Sequence, residues 1–164
     1  MKKYDMILWG MKVYTKEMFP DCFPDNFVTE LNVIEDDIEL EELEVFRVSD
    51  NGQNDKLAFK STYEKYVDGE ITDKDLSATD FLTNFSTSCN YKKNKIRGIL
   101  RNCLKREPKA CILTGHAVHE CGPSQVTSKR MKCKSNGHVD WWLFKESMPQ
   151  QHFEVYEDKQ IEEK

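Results

Sequence analysis

The sequence predicts an α+β fold: three helices followed by a β-hairpin, behind an N-terminal acidic extension. Three observations lead there. Between residues 59 and 104 apolar side chains recur three times at helical spacing, each time beside a cap or stop signal. Further on, Ser135-Asn136-Gly137 separates two segments that read as extended, and a glycine there supplies the positive φ of a tight turn. Ahead of residue 50 the chain carries carboxylates with few cations and one short helical pattern.

Taken in order, Met6 to Trp9 reads as a short strand, and Pro20 and Pro24 punctuate the stretch after it. Asp25 is placed to cap a helix with Phe27, Val28, Leu31 and Ile34 on one face. The acidic run Glu35 to Glu44, with Ile38, Leu40 and Leu43 interleaved, reads as a helix edge or an exposed linker; residues 43–48 fit a short strand equally well. A turn at 49–54 marks a boundary. The expected organisation is thus a segment 1–50 packing on a basic domain 51–147, with an acidic, flexible tail at 148–164.

The first helix carries Phe59, Tyr63, Tyr66 and Val67 on one face and stops at Gly69. Ser77-Ala78-Thr79-Asp80 has the form of a capping box ahead of Phe81, Leu82 and Phe85. The third helix is expected over 92–107, stopped by Pro108. Its expected buried face is Ile96, Ile99, Leu100, Cys103 and Leu104. Lys93, Arg97, Arg101 and Lys105 form its outer row, with Arg106 beside them. Residues 126–132 and 139–144 are the hairpin strands. Trp141 and Trp142 point to opposite faces, one into the core and the other exposed, stacked on a base, or under the N-terminal segment.

Charge is segregated. Residues 1–90 hold nine basic and twenty acidic groups, 91–134 twelve basic and two acidic, and 135–164 three basic and seven acidic. The middle block is therefore +10, within a chain of net charge −5. Such a block attracts polyanions, unless the acidic parts of the same chain neutralise it. No apolar run is long enough for a membrane span. Asp5 and Lys12 interrupt the apolar stretch near the start, so no signal peptide is expected. The expected location is intracellular, nuclear or cytoplasmic, with reduced thiols.

The order of helix, short strand, helix, basic helix and hairpin over residues 55–146 resembles a winged helix. The segments Ser61-Thr62-Tyr63-Glu64-Lys65-Tyr66 and Leu76-Ser77-Ala78-Thr79-Asp80-Phe81 are also similar to the C-terminal winged-helix module of viral primase-helicases. That resemblance implies nucleic-acid binding, with the third helix in the major groove and the hairpin on the backbone. The implied contacts are Lys93, Arg97, Arg101 and Lys105 on the helix, and Lys129, Arg130, Lys132 and Lys134 on the wing. Asn94 and Asn102 could add contacts to base edges.

Cysteine and histidine give a second constellation. Cys111 to His116 and Cys133 to His138 share the pattern Cys-x3-Gly-His. Cys111-x4-His116-x4-Cys121 resembles the last three ligands of a zinc knuckle, with Pro108 where its first cysteine would stand. One shared structural zinc on Cys111, His116, Cys121 and Cys133 would satisfy a tetrahedral site, with His119, His138 and Cys103 as substitutes. No Cys-x2-Cys pair supports it, and no HExxH, P-loop or GxSxG pattern points to catalysis.

The leading functional expectation is a non-enzymatic nucleic-acid-binding regulator, or a replication or transcription accessory protein. The alternatives are a protein-interaction module or inhibitor, such as a viral accessory protein, acting through Glu35 to Glu44, and a metal-dependent enzyme centred on the Cys/His cluster.

Overall fold

The computed structural model describes residues 14–131 and 137–156. The protein is α+β, but its centre is a six-stranded antiparallel sheet rather than three helices and a hairpin. The strands are β1 (Val45–Ser49), β2 (Thr87–Asn90), β3 (Cys111–Gly115), β4 (Ser124–Val126), β5 (His138–Trp141) and β6 (Phe153–Val155). They lie in the order β4-β5-β2-β1-β3-β6. The helices are α1 (Asn26–Leu31), α2 (Thr62–Val67), α3 (Asp73–Ser77), α4 (Phe81–Asn84) and α5 (Lys93–Cys103). The expected order of three helices followed by a hairpin is thereby corrected.

The expected hairpin survives only as the edge pair of this sheet. β4 and β5 are antiparallel, with Gln125 opposite Asp140, while Thr127–Lys129 is a 3-10 turn rather than a continued strand. Gly137 has φ +94°, the left-handed backbone that glycine adopts without penalty. Of the open alternatives for 43–48, the strand is the one formed. It lies between β2 and β3, so the turn at 49–54 follows a central strand and does not separate two sheets. The tail expected at 148–164 begins with a 3-10 turn, Pro149–His152, and supplies the edge strand β6.

Alternation along the strands builds two cores. On one face Val45, Cys89, Leu113, Val139, Trp141 and Phe153 pack with Leu40, Phe59 and Cys121. On the other, Phe46 and Ile112 pack beneath Ile96 and Leu100 of α5. A third cluster joins the N-terminal segment to the edge of the fold: Tyr14, Phe19, Phe23, Phe27 and Leu31 pack with Leu82, Phe85, Trp142 and Phe144. Both tryptophans are therefore core, and Trp142 is the one beneath the N-terminal segment. Each indole N–H is satisfied: Trp141 donates to the Gly122 carbonyl (3.2 Å) and Trp142 to the Leu82 carbonyl (2.8 Å).

Arg47 staples the 3-10 turn Lys56–Phe59 to the sheet. It is buried on the face of Val45, and donates to the carbonyls of Ala58 (2.8 Å), Ser88 (2.6 Å) and Lys60 (3.1 Å). Asp55 caps this turn through the Ala58 N–H, and the next helix, α2, opens on a full capping box of Ser61 and Glu64. Thr72 and Asp75 make the same box at α3. The box expected at 77–80 is instead a single cap, Asp80 accepting from the Thr83 N–H.

Candidate nucleic-acid interface

α5 is where the sequence placed it, four residues shorter at its C-terminal end. Ile96, Leu100 and Cys103 are buried at i, i+4 and i+7, which seats the helix against β1, β2 and β3. Ile99 and Leu104, expected inside, are 50% and 40% exposed. The outer row also differs from expectation in a regular way. Four residues advance about 400° around a helix, so an i, i+4 row drifts by about 40° per step. The row thus starts on the flank at Lys93 and Arg97, both half-buried, and reaches solvent at Arg101 and Lys105. The Lys93 ammonium sits 5.0 Å above the ring of Tyr156.

Lys95, Arg101, Lys105, Arg106 and Lys109 are all exposed, and among the described residues none of them is ion-paired. Most described cations elsewhere are engaged, Lys74 being an exposed exception. Lys16 pairs with Asp25, Lys60 with Asp68 and Glu70, Lys65 with Asp50, and Lys145 with Asp21. Lys56 donates to the Lys145 carbonyl, and Arg47 is held by carbonyls alone. Sequence reasoning misses Lys95 and Lys109, although both lie in the +10 block.

The wing cations are placed differently. Lys129 pairs with Asp37, whose carboxylate also accepts the Val126 N–H (2.9 Å). Arg130 turns inward to a buried network around Asp140, which is wholly inaccessible. Asp140 accepts from Arg130 (2.8 Å), Ser86 (2.7 Å), Thr127 (2.8 Å) and Thr83 (3.3 Å). Arg130 also donates to Asp80 (3.1 Å) and Gln125 (2.7 Å), and the Thr127 hydroxyl is 2.5 Å from His138 Nδ1. These two cations therefore hold the edge of the sheet rather than form a patch with α5. Lys132 and Lys134 lie outside the described residues.

Two of the expected zinc ligands, Cys111 and His116, are held apart. Cys111 opens β3 opposite Ser49, and His116 follows the other end of that strand, where Gly115 faces Val45. Five steps of extended chain separate their Cα atoms by about 16 Å, too far for two side chains to meet at one ion with bonds of about 2 Å. Cys121 is buried in the main core, and Cys133 lies outside the described residues. Among the described residues no three His, Cys, Asp or Glu side chains converge as a metal site. The substitutes have other tasks. His138 joins the Asp140 network, and the Cys103 thiol donates to Asp50 (3.2 Å). His119 lies 3.3 Å from a nearly buried Asp36.

The acidic run at 35–44 is partly internal. Asp36 accepts from the Tyr14 hydroxyl (3.0 Å) and the Ser124 N–H (3.1 Å), and Glu41 accepts from the His119 N–H (3.0 Å). Beside Asp36, burial and the neighbouring carboxylate push the Tyr14 phenol well above its ordinary pKa. Asp36 and Asp37 cover the open edge of β4, accepting from the Ser124 and Val126 N–H groups. A cleft of about 560 Å³ opens beyond them, lined by Glu41, Glu44, His116, Gln151, His152 and Glu154 among others. Its carboxylates disfavour phosphate.

Comparison with protein-family models, with curated proteins and with solved structures gives no match. No helix among the described residues is long and apolar enough to cross a membrane.

Proposed function

We propose that the protein is a non-enzymatic nucleic-acid-binding protein that contacts the phosphate backbone through the outer side of α5. The observation that supports this reading is the contrast in charge pairing. Most described cations away from α5 are matched to carboxylates or carbonyls, Lys74 excepted, whereas five on and just after α5 face solvent with no ion pair among the described residues. A helix anchored by Ile96, Leu100 and Cys103 holds such charges in a fixed geometry, which suits repeated phosphates better than a flexible tail would. Asn94 and Asn102, both exposed on the same helix, are available for base edges. Lys129 and Arg130 of the hairpin are instead committed to the fold.

Charge reversal tests it. The double variant Arg101→Glu with Lys105→Glu should keep the wild-type melting temperature and lose binding to a labelled oligonucleotide by at least about a hundredfold at low salt. The same reversal at Lys16 and Lys145, which lie outside the α5 segment, should change binding less than about threefold. Equal losses from both pairs would show a diffuse charge effect and remove α5 from its role.

A further inference from the structure

Gly98 is the residue of α5 that the fold does not explain. Glycine inside a helix costs stability relative to alanine, because the unfolded chain has more backbone freedom to lose. Gly52, Gly69, Gly122 and Gly137 answer to positive φ, and a Cβ at Gly115 would collide with the His152 carbonyl oxygen. Gly98 has neither reason: its φ is not positive, and a Cβ there would meet nothing within 4 Å. Its place on the helix is equally specific. At about 100° per residue, Asn94, Gly98 and Arg101 fall within about 60° of one another, opposite the buried Ile96, Leu100 and Cys103. The neighbours of Gly98 at i−4, i−3, i+3 and i+4 are Asn94, Lys95, Arg101 and Asn102, all exposed. The middle of the outer side is thus a bare stretch of helix backbone ringed by two amides and two cations.

We infer that Gly98 is the point of closest approach to the ligand, and that the ligand is duplex DNA, whose major groove receives α5. The inference deepens the proposed role of α5 and rests on it. An α-helix with its side chains is about 10–12 Å across, and the major groove of B-form DNA is about 12 Å wide. A position without a side chain therefore lets the helix sit deeper, bringing Asn94 and Asn102 toward base edges while Lys95 and Arg101 reach phosphates. Among the described residues α5 is the one helix in its core cluster, which otherwise draws on β1, β3, Ala110 and Tyr156. Other nucleic acids fit this surface less well. Double-stranded RNA has a major groove too deep and narrow for side chains to read. Single strands are held chiefly on aromatic platforms, whereas residues 92–107 contain no aromatic side chain.

The test is a size series at this one position in the full chain. Gly98→Ala and Gly98→Leu both improve helix propensity, so both should melt at or above wild type, the alanine variant by about 2–4 °C. Affinity for a labelled DNA duplex should nevertheless fall by about tenfold with alanine and about a hundredfold with leucine, because the added side chain keeps the helix out of the groove. Wild type should also bind the DNA duplex at least about tenfold more tightly than single-stranded DNA or duplex RNA of the same sequence at the same salt. Equal losses in the two variants would mark lost helix flexibility instead of a steric contact, and would overturn the role of Gly98, as would a variant that melts below wild type. Wild-type affinity in both variants overturns it too. If Arg101→Glu with Lys105→Glu still loses binding in that case, the charge-based reading of α5 stands without it. Equal or tighter binding of single strands or duplex RNA overturns the assignment to duplex DNA. If wild type binds none of the three probes, the nucleic-acid reading fails and this inference fails with it.

Discussion

Asp140 shows how much of this fold depends on single buried polar residues. Its carboxylate is wholly inaccessible and accepts from one arginine and three hydroxyls, so both its charge and its lone pairs are matched. Replacing it with alanine leaves Arg130 half-paired and the hydroxyls without their acceptor. Asp140→Ala should therefore cost about 3–5 kcal/mol in chemical denaturation, and Asp140→Leu combined with Arg130→Met should cost less than the two single changes together. A second prediction concerns the thiols. Burial pushes Cys89 up to about 12, and burial with the bond to Asp50 pushes Cys103 up to about 11, from an ordinary 9.0. Above pH 9 the unfolded chain gives up these protons while the folded one keeps them, so the unfolded state binds fewer protons and stability falls as pH rises toward 11 and 12. The unfolding free energy should decline with a slope that Cys89→Ala and Cys103→Ala reduce. A flat profile between pH 9 and 11 would contradict the buried placement of these groups. Little of this is visible in the sequence. Arg130 and Lys129 sit in the basic block, and nothing local shows that their carboxylates are Asp80, Asp140 and Asp37, the first and last of them far away in the chain.

At the scale of elements, the legible parts are those with their own periodicity. α5 is readable because Ile96, Leu100 and Cys103 mark a face without help from the rest of the chain. Leu100→Ala should destabilise by about 2–5 kcal/mol as a large-to-small change in a core, while Arg101→Ala should stay within about 0.5 kcal/mol. Removing the α2 capping box with Ser61→Ala should cost about 0.5–2 kcal/mol, since Ser61 is buried and its oxygen serves the Glu64 N–H. The strands are less legible for a physical reason. β2 reads Thr-Ser-Cys-Asn, polar by composition, and is a strand because both neighbours supply its ladder. β3 is Cys-Ile-Leu-Thr-Gly, a run buried on both faces that lacks the alternation of a half-exposed strand. β6 has only three residues and exists through its pairing with β3. The Cys111–His116 spacing does not show that the two residues stand at opposite ends of an extended strand.

Across the whole molecule, charge segregation in the sequence becomes partial neutralisation in space. The acidic N-terminal half meets the wing cations Lys129 and Arg130 and covers the β4 edge, yet leaves the outer side of α5 unmatched. On that unmatched charge the proposed function stands, and counterion release measures it. Binding constants for a duplex oligonucleotide should be determined across salt concentrations from about 50 to 300 mM. If Lys95, Arg101, Lys105, Arg106 and Lys109 neutralise four or five phosphates, log K should fall against log salt with a slope of about −4, and the Arg101→Glu, Lys105→Glu variant should bring it to about −2 or shallower. A wild-type slope near zero, or one left unchanged by the double variant, would contradict phosphate binding by α5.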